Sequence, residues 1–168
     1  MAARQPPPPV AEAELERDVR TALRKFYHMA SGQMDVGLMP DKPANADLLS
    51  DLPDPEHLGA WMSDADLDFY VSEFSRSGFR GPLNYYRNHN LTWELTEGAP
   101  TQIQQPALFV AGDRDGVIAM AAQALENMPT YVTDLRVNAL IPGIGHWTQQ
   151  EAAEATNEYL LDWLASLG

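Results

Sequence analysis

Pro106-Ala107-Leu108-Phe109-Val110-Ala111-Gly112-Asp113-Arg114-Asp115-Gly116 is the stretch whose reading decides the fold. Five apolar residues stand between a proline and a glycine. A short, continuous apolar run with such boundaries suits a buried parallel strand. Downstream, residues 118–127 read as a helix and Leu135-Arg136-Val137-Asn138-Ala139-Leu140 as a second strand, closed by Pro142-Gly143. Residues 151–167 read as a final helix, with Ala155, Tyr159, Leu160, Trp163 and Leu167 on one side. The order β-α-β-loop-α predicts an α/β fold with a parallel sheet. Two strands do not make a stable doubly wound sheet. The first 100 residues show no strand–helix alternation, so the sequence reads as part of a larger sheet.

Upstream of this unit the texture is helical. Pro6-Pro7-Pro8-Pro9 is a stiff lead-in. Residues 12–29 follow as one amphipathic helix, with Leu15, Val19, Leu23, Phe26 and Ala30 at three- to four-residue spacing. Its charges alternate in sign, which reads as a solvated face, and Ser31-Gly32 ends it with a left-handed glycine cap. Residues 33–62, rich in Pro, Asp and Gly, read as a long irregular excursion of the kind found in lids. Ser63 caps a helix over 64–77, with Asp66 completing a capping box and Gly78 stopping it. Pro82 starts a short helix to about residue 90. The organisation expected is a Pro-rich lead-in over 1–10, a helical lid or cap over 11–98, and the α/β portion over 99–168.

Composition narrows the function classes. The 168 residues hold 24 acids and 11 bases, a net charge of −13. Nucleic-acid binding relies on clustered Lys and Arg, and anionic membranes repel an acidic surface, so neither partner is expected. There is no cysteine, which removes disulfides, thiolate nucleophiles and Cys-ligated metals. The N-terminal residues lack the apolar centre of a signal peptide, and a soluble, cytoplasmic protein is expected.

Two loops carry the candidate chemistry. One is Gly112-Asp113-Arg114-Asp115-Gly116 after the first strand. The other is Gly143-Ile144-Gly145-His146-Trp147-Thr148-Gln149 after the second. A right-handed crossover makes the strands parallel and brings both loops to one sheet edge, where α/β proteins gather functional groups. An acid and His146 then face each other as a general base requires. Periodicity does not choose between Asp113 and Asp115. There is no Gly-x-Ser-x-Gly or Gly-x-Asp-x-Gly elbow. His28, His57, His89 and His146 are scattered, so no metal and no cofactor are expected.

Ser77-Gly78-Phe79-Arg80-Gly81-Pro82-Leu83-Asn84-Tyr85-Tyr86-Arg87-Asn88 resembles the lid segment of soluble epoxide hydrolases in the α/β-hydrolase superfamily. The preceding Asp68–Phe74 helix, residues 106–117, and Gly145-His146-Trp147-Thr148-Gln149 fit the same family. The likeness runs from about Glu12 to the C-terminus and covers roughly the second half of a full-length member. It implies the C-terminal part of an α/β-hydrolase fold, incomplete by itself. It implies hydrolysis of an epoxide to a vicinal diol through an enzyme ester. Tyr86 would bind and protonate the epoxide oxygen, His146 would activate water, and Asp115 would be its acid partner. The family's nucleophile aspartate and oxyanion-hole motif have no match, so the chain reads as truncated or split and inactive alone. The expected partners are a small apolar epoxide and a complementary N-terminal half chain, and a homodimer is compatible with the sequence. The alternatives are a non-catalytic ligand-binding or interaction fragment, or half of another α/β hydrolase such as a haloalkane dehalogenase.

Overall fold

A computed structural model describes residues 10–34, 43 and 46–168. The proline run lies outside the described residues. The architecture is mixed α/β: a helical region up to about residue 98, then two parallel strands with helices around them.

The expected helix over 12–29 is two helices, α1 (Val10–Arg17) and α2 (Val19–Met29). Asp18 divides them. Its backbone is extended (φ −148°, ψ 90°), and its carboxylate accepts a hydrogen bond from Thr21 N at 3.1 Å, capping α2. The same bond holds the Asp18 carboxyl below its ordinary pKa. The apolar spacing runs through the break because both helices face one core. Gly32 is not a left-handed cap; Ala30 closes α2 in right-handed geometry.

The charged face of these helices is not simply solvated. Glu14 accepts from Leu49 N (2.7 Å) and Glu16 from Phe79 N (3.0 Å). Arg24 clasps Asp54 through two bonds of 2.6 and 2.8 Å, and Lys25 donates to Leu49 O at 3.1 Å. Arg20 pairs with Asp68. These charges strap the described part of the 33–62 excursion and the later helices onto α1 and α2. Leu49, Leu52, Leu58 and Met62 are thereby buried beside Leu15, Ala22, Leu23, Tyr27, Leu67 and Phe79, while Leu48 stays exposed.

The next helix, α3 (Asp64–Ser77), forms as expected. Ser63 Oγ accepts from Asp66 N, Asp66 accepts from Ser63 N, and Gly78 at φ +68° ends the helix. Two helices replace the single one expected over 82–90: α4 (Arg80–Arg87) and α5 (His89–Leu95). Arg87 on α4 grips Glu12 on α1 with bonds of 2.6 and 2.8 Å. The guanidinium pulls the Glu12 carboxyl down to about 2 from its ordinary 4.5.

Strand β1 (Ala107–Gly112) pairs in parallel with β2 (Leu135–Ile141). Between them lie α6 (Gly116–Met120) and α7 (Ala122–Tyr131), where one helix over 118–127 was expected. The expected final helix over 151–167 is likewise interrupted at Ala152, giving α8 (Thr148–Glu151) and α9 (Ala153–Ala165). The strands are less covered than their composition suggests. Residues 107–110 are half-buried, and of β1 only Ala111 and Gly112 are buried. Tyr159, Leu160 and Leu167, assigned to the covered face of the last helix, are exposed, whereas Ala155 and Trp163 are half-buried. The reason is the size of the sheet. It has two strands among the described residues, and each has an unpaired outer edge.

Leu23 is 4% exposed, at the centre of the helical core. Truncating a buried leucine removes transfer energy and leaves a cavity, so Leu23→Ala is expected to lower the urea unfolding free energy by about 2 to 5 kcal/mol. Glu12 supplies a pH-dependent contribution. Its folded pKa of about 2 lies below the ordinary 4.5, so its stabilisation is complete above 4.5 and is lost as pH falls toward 2. Glu12→Gln should therefore lower Tm at pH 7, with the gap from wild type closing across that acid window in thermal melts.

Candidate active site

The parallel pairing of β1 and β2 sets the two strand-end loops side by side. Ile144 O accepts from Arg114 N at 2.9 Å, and Ile141 O accepts from Asp113 N at 3.1 Å. A Cβ built on Gly112 would stand 2.1 Å from Ile144 O, so only glycine fits where the loops cross.

The two aspartates that spacing left open have separate partners. Asp113 Oδ1 accepts from Gly143 N at 2.7 Å, which holds the second loop where Gly143 turns at φ +78°. Asp115 Oδ2 lies 2.9 Å from His146 Nδ1, and its Oδ1 accepts from Val117 N at 2.8 Å, capping α6. A carboxylate only accepts, so Nδ1 carries the proton in this bond, and in the neutral ring Nε2 keeps a free lone pair. Asp115 is 7% exposed, whereas the His146 side chain is 47% exposed. A buried, doubly bonded acid thus aims an open imidazole. Such a pair can take a proton from a water molecule at Nε2 and stabilise the imidazolium formed.

Tyr86 stands on α4, 61% exposed. Its ring packs at 5.5 Å from Tyr85 and 5.7 Å from His89. The structure joins Asp115 and His146 directly, and no hydrogen bond links the Tyr86 phenol to either. Among the described residues no cluster of His, Asp or Glu is arranged to hold a metal ion.

The loop bearing His146 is seated on the end of α2. His146 N donates to Ala30 O at 2.8 Å, and Trp147 Nε1 donates to Tyr27 O at 2.9 Å. The Trp147 ring lies 4.7 Å from that of Tyr27, whose phenol is pushed up to about 12 by burial. Cβ atoms on Gly32 and Gly145 would come within 2.2 and 2.3 Å of backbone across this seam. Sequence reasoning missed the seam and missed Glu151. The Glu151 carboxylate accepts from Gly32 N (2.8 Å), Gly145 N (3.3 Å) and Trp147 N (3.2 Å). The one available signal was its spacing, four residues beyond Trp147, which lets a side chain reach back over one helical turn.

With this geometry the relatives can be placed. The chain is 34% identical over 163 residues to epoxide hydrolase A of Mycobacterium tuberculosis, covering 95% of this chain and 50% of that protein. It is 44% identical over 114 residues to epoxide hydrolase B of the same organism, covering 67% of this chain and 32% of that one. The solved structure of an epoxide hydrolase from an endophytic Streptomyces superposes with a TM-score of 0.88 at 39% identity, covering 95% of this chain and 50% of that chain. The chain is a partial member of the epoxide hydrolase family, within the α/β hydrolases. No family model matches it. This epoxide hydrolase relative spans about a third to a half of the length of the proteins it matches. No helix among its described residues is long and apolar enough to cross a membrane.

A methyl group at position 145 has backbone on its far side, and backbone cannot rotate away. Gly145→Ala is therefore expected to unseat the loop from α2, lowering Tm and broadening the amide NMR signals of residues 143–147. Ala substitution at Gly81, where a Cβ meets nothing within 4 Å, should leave both nearly unchanged.

Proposed function

We propose that this chain supplies the water-activating and epoxide-binding half of an epoxide hydrolase site. The observation that carries the reading is the Asp115–His146 pair at the carboxyl ends of two adjacent parallel strands. A carboxylate nucleophile attacks an epoxide carbon, the C–O bond breaks, and an ester forms. Tyr86 hydrogen-bonds the epoxide oxygen and gives it a proton. His146 Nε2 then takes a proton from water, the hydroxide attacks the ester carbonyl, the diol leaves as the carboxylate is regenerated, and the proton held on His146 returns to the Tyr86 phenolate through solvent. Asp115 holds the Nδ1–H tautomer throughout. A haloalkane substrate fits less well, because a halide leaving group needs no proton donor such as Tyr86.

These 168 residues hold no Gly-x-Asp-x-Gly elbow, so the nucleophile belongs to a complementary N-terminal segment. The exposed apolar residues of α9 and the unpaired strand edges support such a completion. The setting proposed is the cytoplasm, in keeping with a cysteine-free chain. A second reading, a non-catalytic ligand-binding or interaction fragment, is favoured by the same missing elbow.

Co-expression with the N-terminal half of a related epoxide hydrolase, followed by a diol assay on an aryl epoxide, separates the two. The expected result is an assembled pair that forms diol. In that pair His146→Gln should lower turnover by about 10²- to 10⁴-fold, the usual contribution of a general base. It should also let the ester adduct accumulate, visible by intact-protein mass. Tyr86→Phe should slow ester formation instead. An assembled pair that makes no diol and no adduct would leave the non-catalytic reading standing.

A further inference from the structure

We propose that Glu151 is a positioning residue for His146, fixing the backbone on both sides of the histidine so that its ring stays on Asp115. The proposal deepens the reading of His146 as the water-activating base and rests on it. Residue 146 lies between two N–H groups, those of Gly145 and Trp147, and both donate to the Glu151 carboxylate. A third donor, Gly32 N at 2.8 Å, ties the same carboxylate to the chain just beyond α2. The histidine's own N–H goes to Ala30 O. Together with the Trp147 Nε1–Tyr27 O bond, five hydrogen bonds thus tie residues 145–147 and the α2 end together, three of them made by one side chain.

The arrangement has no substitute in the neutral amide. Gly32 N and Gly145 N reach Oε2, and Trp147 N reaches Oε1, so both oxygens face donors. A glutamine must turn its NH₂ toward at least one N–H, setting donor against donor. Glu151 makes no bond to the imidazole, so it is not a second acid partner. Its effect passes through the backbone of the loop to the direction of the ring. Positioning of this kind is exacting, since small displacements of a catalytic group cost rate steeply.

The test reads the ring and needs no turnover. The full chain, labelled with ¹⁵N at the histidine rings, is compared with Glu151→Gln and with Asp115→Asn, and the His146 signals are assigned through His146→Gln. In the wild type at a pH where the ring is neutral, the expected signal is a single tautomer protonated at Nδ1. In E151Q a second tautomer should appear, as it should in D115N, while the amide spectrum of α3 stays in place. A wild-type single tautomer retained in E151Q overturns the positioning role and leaves the proposed function intact. A wild-type ring already divided between tautomers overturns both. A tautomer shift in E151Q, beside a complemented pair that makes no diol, supports the positioning role while removing the catalytic reading. Should E151Q fail to fold, Glu151→Asp carries the same comparison, because its carboxylate is withdrawn by one methylene and loses its reach to Gly32.

Discussion

The seam between the α2 end and the His146 loop is the constraint on which the site depends. Gly32, Gly143 and Gly145 approach so closely that backbone meets backbone. Backbone brought together without water must satisfy its own polar groups, and here it does so through His146 N to Ala30 O and through the Glu151 carboxylate. Trp147 seals the apolar side, with its indole N–H on Tyr27 O and its ring against Tyr27 and Phe26. The histidine therefore takes its bearings from the helical region as much as from the sheet. Asp115 supplies the remaining direction from the neighbouring strand end.

The acidic balance of the chain acquires a local meaning in this light. Many carboxylates serve as acceptors for backbone N–H groups that helices and strands leave unused. Asp18 and Asp115 cap helices, Asp113 holds Gly143 N, Glu14 and Glu16 hold Leu49 N and Phe79 N, and Glu151 holds three. An irregular segment packed on helices exposes such groups, and an ionised acceptor satisfies them more strongly than a neutral one. The charge pattern that suggests a solvated helix face in the sequence is, in the fold, a set of straps.

Local signals were readable and distant ones were not. The α3 helix is written in a Ser63–Asp66 capping box and a terminal Gly78, all within its own span. The first strand is written in a short apolar run between Pro106 and Gly112, the second in a stretch closed by Pro142-Gly143, and their parallel pairing follows from handedness. That pairing brings an acid to His146, while the choice of Asp115 over Asp113 rested on the epoxide hydrolase resemblance. The division between α1 and α2 was hidden because an aspartate at position 18 fits an amphipathic helix as well as it fits a cap. Glu151 was hidden because its first partner, Gly32, is 119 residues away. Periodicity identified the apolar side of residues 151–167, but not whether another element covers it. Proteins that match the chain extend well beyond it, and in the described residues α9 leaves Leu160, Leu161 and Leu164 exposed.

The buried core is unevenly divided. Leu15, Leu23, Leu52, Leu58, Leu67 and Phe79 all precede residue 80, whereas the α/β portion contributes Ala111 and Ile141 to the buried apolar set. Resistance to local opening follows buried apolar contact, so amide hydrogen exchange should be slowest in α2 and α3 and faster in the open strands. The His146 loop straddles that boundary. Its backbone is clamped to the slow side, while its acid partner belongs to the fast side. Breathing of the sheet would then separate Asp115 from a histidine that stays where α2 holds it. The acid–base pair joins a densely packed helical region to a sparsely packed pair of strands, so its geometry draws on two unequal reserves of buried contact.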